Sequence, residues 1–199
     1  MPLTAIVQST GQQIVIADDL EFAKEHKHEL VCPICEQPLI PVRDFLRLST
    51  DTSVNAYARH KEIRGHYETN YRYHTESTEH FAAKKYLAAN VGELFGLKVV
   101  AHRYEVRMSD VMRIADVVLE LDGGDVLIVE AQLSATTPEE LEERTNDYER
   151  LGYTVLWGLG KDAYKDYNYR WCLSRSGVYI RLDFAADGAA ESANRRAAA

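Results

Sequence analysis

The sequence is poor in cysteine, in long apolar runs and in positive charge. Its three cysteines are too few, and odd in number, for a disulfide framework. No apolar run approaches the roughly 20 residues that a membrane helix needs. The first residues also lack the basic leader and apolar block of a secretory signal. We therefore expect a soluble, cytoplasmic protein that does not associate with membranes.

The charge balance excludes a protein that coats nucleic acid through overall positive charge. Lys and Arg number 23 and Asp and Glu number 31, a formal net charge of −8, whereas non-specific DNA binders are usually basic. Residues 56–86 are locally different, with six Lys or Arg, five Tyr and four of the seven His. This composition suits phosphate contact and base stacking, and it suits a solvated hinge equally well. Contact with DNA then requires this local patch or a bound metal.

An apolar fraction of 46% is enough for a core, and residues 76–160 carry the clearest pattern. Apolar residues recur at helical spacing after a Ser77 N-cap, and Thr-Pro-Glu-Glu at 137–140 is a strong helix start. The predicted order is helix, three strands, helix, strand, which is an α/β fold, with a frayed tail from residue 185. Strands are predicted over 98–106, 111–121, 125–132, 153–159 and 178–184.

Two acidic residues fall on neighbouring predicted strands that a hairpin turn at 122–124 joins. Asp116 lies on one strand and Glu130 on the next, where Glu130 and Gln132 point to the same face. Glu79 adds a carboxylate from the first turn of the preceding helix. Carboxylate oxygens with open water positions are what Mg²⁺ requires. The pattern therefore indicates a magnesium site. The alternative is that these acidic residues are simply solvated, and that Glu79 is there because a negative charge in the first turn stabilises the helix dipole.

Two helices carry candidate contacts to phosphate. His80 and Lys84 lie four residues apart and can reach the same phosphate, or form an exposed helical face. Arg144 and Tyr148 lie one turn apart on the later helix. Either Arg144 contacts phosphate, or Tyr148 packs on the sheet while Arg144 pairs with a nearby Glu.

Cys32 and Cys35 have the spacing of half a zinc site, which needs two more ligands. No second cysteine pair of this spacing is present, so histidines are the candidate partners. A redox pair needs a preceding strand and a following helix, and prolines at 38 and 41 interrupt any helix here. Buried thiols without metal are a third interpretation, and Cys172 is expected to be structural. The candidate histidines are His28, His60, His66 and His74.

Taken in order, these motifs resemble a known family. Glu-Ser-Thr-Glu-His-Phe-Ala-Ala-Lys at 76–84 is similar to the Glu-Ser-x-Glu-His-x-x-x-Lys signature of the competence protein CoiA-like family. The resemblance covers roughly residues 3–160 and includes the upstream Cys-Pro-x-Cys element. The further motifs, in the family's order, are Arg-Ile-Ala-Asp at 113–116, Ile-Val-Glu-Ala-Gln-Leu-Ser at 128–134, Arg-x-x-x-Tyr at 144–148 and Val-Leu-Trp at 155–157.

That family belongs to the PD-(D/E)XK nuclease superfamily. The resemblance implies a restriction-endonuclease-like α-β-β-β-α-β core and a role in processing incoming DNA during natural transformation. It implies that Glu79, Asp116 and Glu130 are metal ligands and that Gln132 replaces the superfamily's usual lysine. Glutamine can orient water but brings no charge. In the family, the remaining zinc ligands look like those of a His-Phe-Ala-His element. Neither the sequence around His60 nor that around His66 reproduces this element.

We therefore predict a zinc-ribbon-like N-terminal β/CxxC module over 1–72, a PD-(D/E)XK nuclease-like domain over 73–184 and a disordered tail over 185–199. The predicted function is hydrolysis of DNA phosphodiester bonds with Mg²⁺ or Mn²⁺. The alternative is a non-cutting nucleic-acid-binding or scaffold protein of the same fold, favoured by the missing lysine and the negative charge. The predicted site residues are Glu79, Asp116, Glu130 and Gln132 for catalysis, the first three also for magnesium; Lys84, Arg144 and Tyr148 for DNA; and Cys32, Cys35 and His66 for zinc.

Overall fold

The structure is a computed structural model that describes residues 2–47, 52–61, 77–184 and 190–194. Contacts divide the chain into two compact units, Met1–Thr78 and Glu79–Ala199. In the described part of the chain, no helix is both long enough and apolar enough to cross a membrane.

The first unit is built from short strands and one short helix. Strands β1 (Thr4–Val7), β2 (Gln13–Val15) and β3 (Leu30–Val31) form a small antiparallel sheet of order β2-β1-β3. Two further antiparallel pairs are β4 with β7 and β5 with β6. The elements are β1 Thr4–Val7, β2 Gln13–Val15, α1 Leu20–Glu25, β3 Leu30–Val31, β4 Leu39–Val42, β5 Phe45–Arg47, β6 Thr52–Val54 and β7 Tyr57–His60.

The second unit contains a central mixed sheet of six strands in the order β13-β12-β11-β10-β9-β8. Strands β8, β9 and β10 pair antiparallel, whereas β10, β11 and β12 are parallel. A helix connects each parallel pair, as parallel strands require a crossover. The elements are α2 Thr78–Phe95, β8 Val99–Met108, a 3₁₀ turn Ser109–Val111, β9 Arg113–Leu121, β10 Val126–Gln132, α3 Pro138–Glu149, β11 Thr154–Gly160, α4 Asp166–Ser176, β12 Ile180–Phe184 and β13 Ala190–Asn194.

The predicted order of helix, three strands, helix and strand over residues 76–160 is observed. The start of α3 is a capping box: the Thr137 hydroxyl accepts from the Glu140 N–H, and the Glu140 carboxylate accepts from the Thr137 N–H. The turn between β9 and β10 places Gly123 and Gly124 at positive φ, where glycine has no steric penalty.

The helices cover both faces of the sheet. A Cβ added at Gly158 of β11 would touch Leu87 of α2, whereas the adjacent Trp157 belongs to a buried cluster with Leu141 and Tyr148 of α3. Because neighbouring residues of a strand point to opposite faces, α2 packs on one face of β11 and α3 on the other. The sheet that carries Asp116 and Glu130 therefore lies between helices.

Two elements of the second unit differ from the predictions. Helix α4 was not expected, because residues 161–177 lack a regular aliphatic stripe; it is instead anchored by buried Asn168 and Cys172. Strand β13 falls in the predicted disordered tail. It pairs with β12 through backbone hydrogen bonds, which do not require the apolar side chains that this segment lacks. The rest of that tail, 185–189 and 195–199, lies outside the described residues.

Candidate functional site

Asp116 of β9 and Glu130 of β10 lie side by side in the sheet. The registered pairing of the two strands ends at Val117 with Val129, and the next residue of each strand is one of the two carboxylates, whose side chains interact. The Ala131 N–H donates to Asp116 Oδ2 at 2.9 Å. Both residues are buried, with 7% of Asp116 and none of Glu130 exposed. The predicted convergence of these two acidic residues is present.

The partners of Asp116 come from α2. Lys84 Nζ lies 3.0 Å from Asp116 Oδ1, and Lys84 itself is only 3% exposed. His80 Nε2 lies 3.5 Å from Asp116 Oδ2 and donates to the Ala131 carbonyl at 2.8 Å. Burial acts to raise the pKa of Asp116, but the Lys84 charge and the His80 hydrogen bond hold it well below its usual range. Asp116 is therefore a carboxylate.

Asp116 in turn raises the pKa of His80. Burial acts to lower the pKa of the His80 imidazole, but the hydrogen bond and charge of Asp116 outweigh it and raise this pKa. Lys84 and His80, one turn apart on α2, thus both face the same carboxylate.

The partner of Glu130 comes from α3. Arg144 Nη2 donates to Glu130 Oε2, while Glu130 Oε1 and Arg144 Nε have no hydrogen-bond partner among the described residues. The Arg144 guanidinium also lies 5.5 Å from the centre of the Trp157 ring. Burial, with the Asp116 charge, raises the pKa of Glu130 to about 7 although Arg144 opposes the shift. Of the two alternatives for Arg144, the structure contains the ion pair with a nearby Glu.

Three other predicted site residues have different surroundings, and of these Tyr148 is next to Glu130 and Arg144, with which its side chain interacts. Tyr148 is fully buried and donates to the Ile114 carbonyl at 3.3 Å, so its side chain packs on the sheet instead of facing solvent. Gln132 donates to the carbonyl and hydroxyl oxygens of Ser134, both at 3.0 Å. Glu79 is exposed and lines an open pocket of about 310 Å³, whose lining residues include neither Asp116 nor Glu130.

Glu105 of β8 is a residue of this region that the sequence patterns did not single out. Its Oε1 lies 3.8 Å from Lys84 Nζ, its side chain is 12% exposed, and its backbone has the left-handed φ of 52°. Glu105 is recognised only from the register of β8 on β9, which cannot be read from a local sequence pattern.

The residues at the carboxylate pair fit a divalent cation of the magnesium type in part. Mg²⁺ is usually held by one or two carboxylates together with water and substrate phosphate. Asp116 and Glu130 can supply the two carboxylates, and one Glu130 oxygen is buried without a hydrogen-bond partner among the described residues. Glu79 does not join them: among the described residues, no group of three acidic or histidine ligands lies within 4.8 Å here.

A group of that size is found in the first unit, at Cys32, Cys35 and His60, whose ligand atoms all lie within 4.8 Å of one another. Cys35 Sγ lies 3.3 Å from His60 Nε2. Burial raises the pKa of the Cys32 thiol to about 12, so without a cation this buried sulfur stays protonated. Two thiols and an imidazole are the ligands that zinc prefers.

The turn that carries the two cysteines joins β3 to β4. The Cys32 N–H donates to the Gln37 carbonyl, the Glu36 N–H donates to the Cys32 carbonyl, and Glu36 has a left-handed φ of 61°. His28 is described and is not in the group, whereas the predicted ligand His66, like His74, lies outside the described residues.

Comparison with known proteins identifies a family. Residues 76–179 match the family model described as "Competence protein CoiA, nuclease-like domain". No curated protein matches the chain significantly. The match covers more than half of the chain and contains α2, the strands of Asp116 and Glu130, α3 and α4. The chain therefore belongs to the family of the competence protein CoiA nuclease-like domain.

Proposed function

We propose that the second unit is a restriction-endonuclease-like domain that hydrolyses DNA phosphodiester bonds, in the processing of incoming DNA. The observation that carries the proposal is the Asp116–Glu130 pair, in which a fully buried carboxylate retains one oxygen without a partner. Burying a charge without full compensation is costly, and such cost is tolerated at sites that bind a ligand. The family's description as nuclease-like supports the same reaction.

Asp116 and Glu130 would hold the cation, Mg²⁺ or Mn²⁺. When bound, such an ion lowers the pKa of a water molecule and polarises a phosphoryl oxygen. Glu79 remains a proposed third ligand; because it is exposed, we expect its substitution to weaken metal affinity less than substitution of either buried carboxylate.

Lys84 and Arg144 are proposed to contact DNA as well as the two carboxylates. Lys84 and Arg144 neutralise the two carboxylates, and a DNA phosphate beside the pair would receive hydrogen bonds from them. Arg144, with 27% of its side chain exposed, is the more accessible of the two. Tyr148 is fully buried and interacts with the Arg144 side chain, so its proposed role is to position Arg144 and not to contact DNA directly. Gln132 is proposed to orient water, which requires it to exchange its bonds to Ser134.

The test replaces each carboxylate by its neutral isostere. Asp116→Asn and Glu130→Gln should each abolish Mg²⁺-dependent DNA cleavage, because each removes one charge from the cation site. DNA binding without metal should hold or tighten slightly, since phosphate meets less negative charge. Gln132→Ala should reduce cleavage less. Glu120→Gln is the matched control, because Glu120 lies on β9 but is paired with Arg103 at the surface.

Circular dichroism of each variant must match the wild type for the comparison to count. The proposal is overturned if the wild type cuts neither single- nor double-stranded DNA with Mg²⁺ or Mn²⁺, or if both variants cut normally. The non-cutting nucleic-acid-binding or scaffold function would then replace it.

For the first unit, we propose a structural zinc site formed by Cys32, Cys35 and His60. The support is the cluster of the three ligand atoms within 4.8 Å, on the turn between β3 and β4 and at the last residue of β7. Structural zinc sites are usually closed by four ligands, so a fourth is expected. His66 remains our proposal for that position.

A further inference from the structure

An aromatic cluster is formed by residues around the start of α4 and just before β12. The Tyr164 and Tyr169 rings are stacked with their centroids 5.3 Å apart, and the Tyr179 ring lies 5.9 Å from each of them. Tyr179 is 2% exposed, whereas Tyr164 and Tyr169 are half-buried. The cluster therefore extends from the core of the second unit to its surface.

Arg181 of β12 adds a planar cation to this cluster. Its guanidinium carbon lies 4.7 Å from the centre of the Tyr164 ring, and its side chain is 43% exposed. A partly exposed guanidinium on an aromatic ring offers a flat surface on which an unpaired nucleic-acid base can stack. We refer to Arg181, Tyr164 and Tyr169 as the Arg–Tyr stack.

The Arg–Tyr stack is continuous with the open pocket that contains Glu79. Arg181 Nε lies 2.7 Å from Asp183 Oδ2, and Asp183 lines this pocket together with Glu79 and Lys161. Glu79 is the proposed third ligand of the cation site. A strand bound at the Arg–Tyr stack would therefore follow the same surface as this proposed ligand.

The segment around the Arg–Tyr stack is locally basic in an acidic protein. Residues 161–181 contain five Lys or Arg and two Asp, whereas the whole chain has a formal net charge of −8. Asp166 is paired with Arg170 at 2.9 Å. In the described part of the chain, no carboxylate lies within ion-pair distance of the exposed Lys161 and Lys165 ammonium groups. These charges complement the phosphates that link neighbouring bases.

We infer that the Arg–Tyr stack is a contact surface for single-stranded DNA. An unpaired base stacks on Arg181 and Tyr164, and Lys161 contacts an adjacent phosphate. Duplex DNA presents only the edges of its paired bases in the grooves, so its bases cannot stack here. The inference rests on the proposed function, for which it names the form of DNA that the second unit holds.

Binding of a fluorescently labelled oligothymidine of about 16 nucleotides, the upper site size of a single-strand-binding module, tests the inference without metal or cleavage. Tyr164→Leu should weaken binding about tenfold, because the ring on which the base stacks is lost. Tyr164→Phe retains the ring and should bind within about twofold of the wild type. Neither change should alter binding of a duplex of the same length by more than about twofold. Fluorescence anisotropy measures each Kd.

Two further variants separate stacking from charge, and they also test the inference if Tyr164→Leu does not fold. Arg181→Lys keeps the charge but loses the planar guanidinium, so it should weaken single-strand binding about fivefold with an unchanged salt dependence. Lys161→Ala should reduce the slope of log K against log salt concentration by about 0.7, the contribution of one phosphate contact in a single strand. Lys98→Ala is the control and should leave the slope unchanged, because Lys98 pairs with Asp122 at the opposite end of the sheet.

The outcomes separate this inference from the proposed function. Equal single-strand affinities of the wild type, Tyr164→Leu and Arg181→Lys overturn the role of the Arg–Tyr stack and leave the nuclease proposal standing. A wild type that binds single-stranded DNA through the stack but cuts no DNA supports the surface and overturns the nuclease proposal. A wild type that binds no single-stranded DNA overturns the surface, whether or not it cuts a duplex, and the cluster would then serve packing or a protein partner.

Discussion

Glu130 and Asp116 are two neighbouring carboxyl groups with opposite electrostatic behaviour. Burial raises the pKa of Glu130 to about 7, whereas Lys84 and His80 hold the pKa of Asp116 far below its usual range against the effect of burial. Pairs of titratable groups with separated pKa values are typical of functional sites. The difference arises because two basic side chains of α2, Lys84 and His80, face Asp116 and a single guanidinium faces Glu130.

The raised pKa of Glu130 predicts a pH dependence of stability. Between its ordinary value of 4.5 and about 7, the native carboxyl binds more protons than the unfolded one, so the free energy of unfolding falls as pH rises through this window. Glu130→Gln removes that dependence. Without metal, the free energy of unfolding of the variant relative to that of the wild type should therefore increase by on the order of 1–3 kcal/mol from pH 4.5 to pH 7.

Urea unfolding followed by tryptophan fluorescence measures this difference, because both tryptophans, Trp157 and Trp171, belong to the second unit. Glu120→Gln, at the surface of β9, should keep the wild-type profile. Parallel pH profiles of wild type and Glu130→Gln would show that burial does not shift this carboxyl.

At the scale of elements, α3 places Arg144 and Tyr148 beside the sheet, and its first turn determines where that helix begins. Thr137 caps the helix, Glu140 completes the capping box, and Glu140 also accepts from the Thr136 hydroxyl at 2.8 Å. These hydrogen bonds lower the pKa of Glu140, as expected for a carboxylate that accepts from a helix start. The start of α3 is thus specified by local residues.

Thr137→Ala should destabilise the second unit by about 1 kcal/mol, because the Glu140 N–H loses its side-chain acceptor. Thr137→Ser keeps the hydroxyl and should remain within a few tenths of a kcal/mol of the wild type. Urea unfolding monitored by tryptophan fluorescence gives both values. Equal stability of Thr137→Ala and Thr137→Ser would indicate that the cap contributes nothing.

At the scale of the molecule, the proposed zinc site belongs to one unit and the proposed cation site to the other. The first unit has short strands of two to four residues, which bury little apolar surface individually. Small units of this kind often depend on a structural metal. The second unit has a six-stranded sheet covered by helices, so we expect its stability not to depend on zinc.

Purified protein should contain about one zinc ion per chain, and Cys35→Ser and His60→Ala should each lose it. Cys172→Ala should retain zinc, because Cys172 is buried on α4 of the second unit. Metal analysis measures the content. His66→Ala tests the proposed fourth ligand in the same way.

Hydrogen exchange gives the structural consequence of zinc removal. Exchange should accelerate in β3, β4 and β7 and remain unchanged in β9, β10 and β11, because the metal would support the first unit alone. Wild-type protein without zinc, in which Cys32 and Cys35 are both alkylated freely, would contradict the site.

Local patterns in the sequence were sufficient for several elements. The strand predicted over 125–132, the glycines at 123 and 124 and the Thr-Pro-Glu-Glu start correspond to β10, its hairpin turn and α3. These features depend on neighbouring residues, whose backbone preferences act over one or two turns. Helix α4 was missed because its buried residues include Asn168, which donates to the Thr136 and Ala163 carbonyls; a polar anchor gives no hydrophobic period.

The residue types of the site were evident from the sequence, but their partners followed from packing. Asp116 and Glu130 were recognised from their strands and motifs, whereas Glu105 joins Asp116 through strand register and Glu79 does not join the pair. Arg144 pairs with Glu130 because α3 packs on the sheet near β11, a contact across 14 residues of chain. Helical and strand periods specify the direction of a side chain within its own element, but the distance between side chains of different elements depends on how those elements pack.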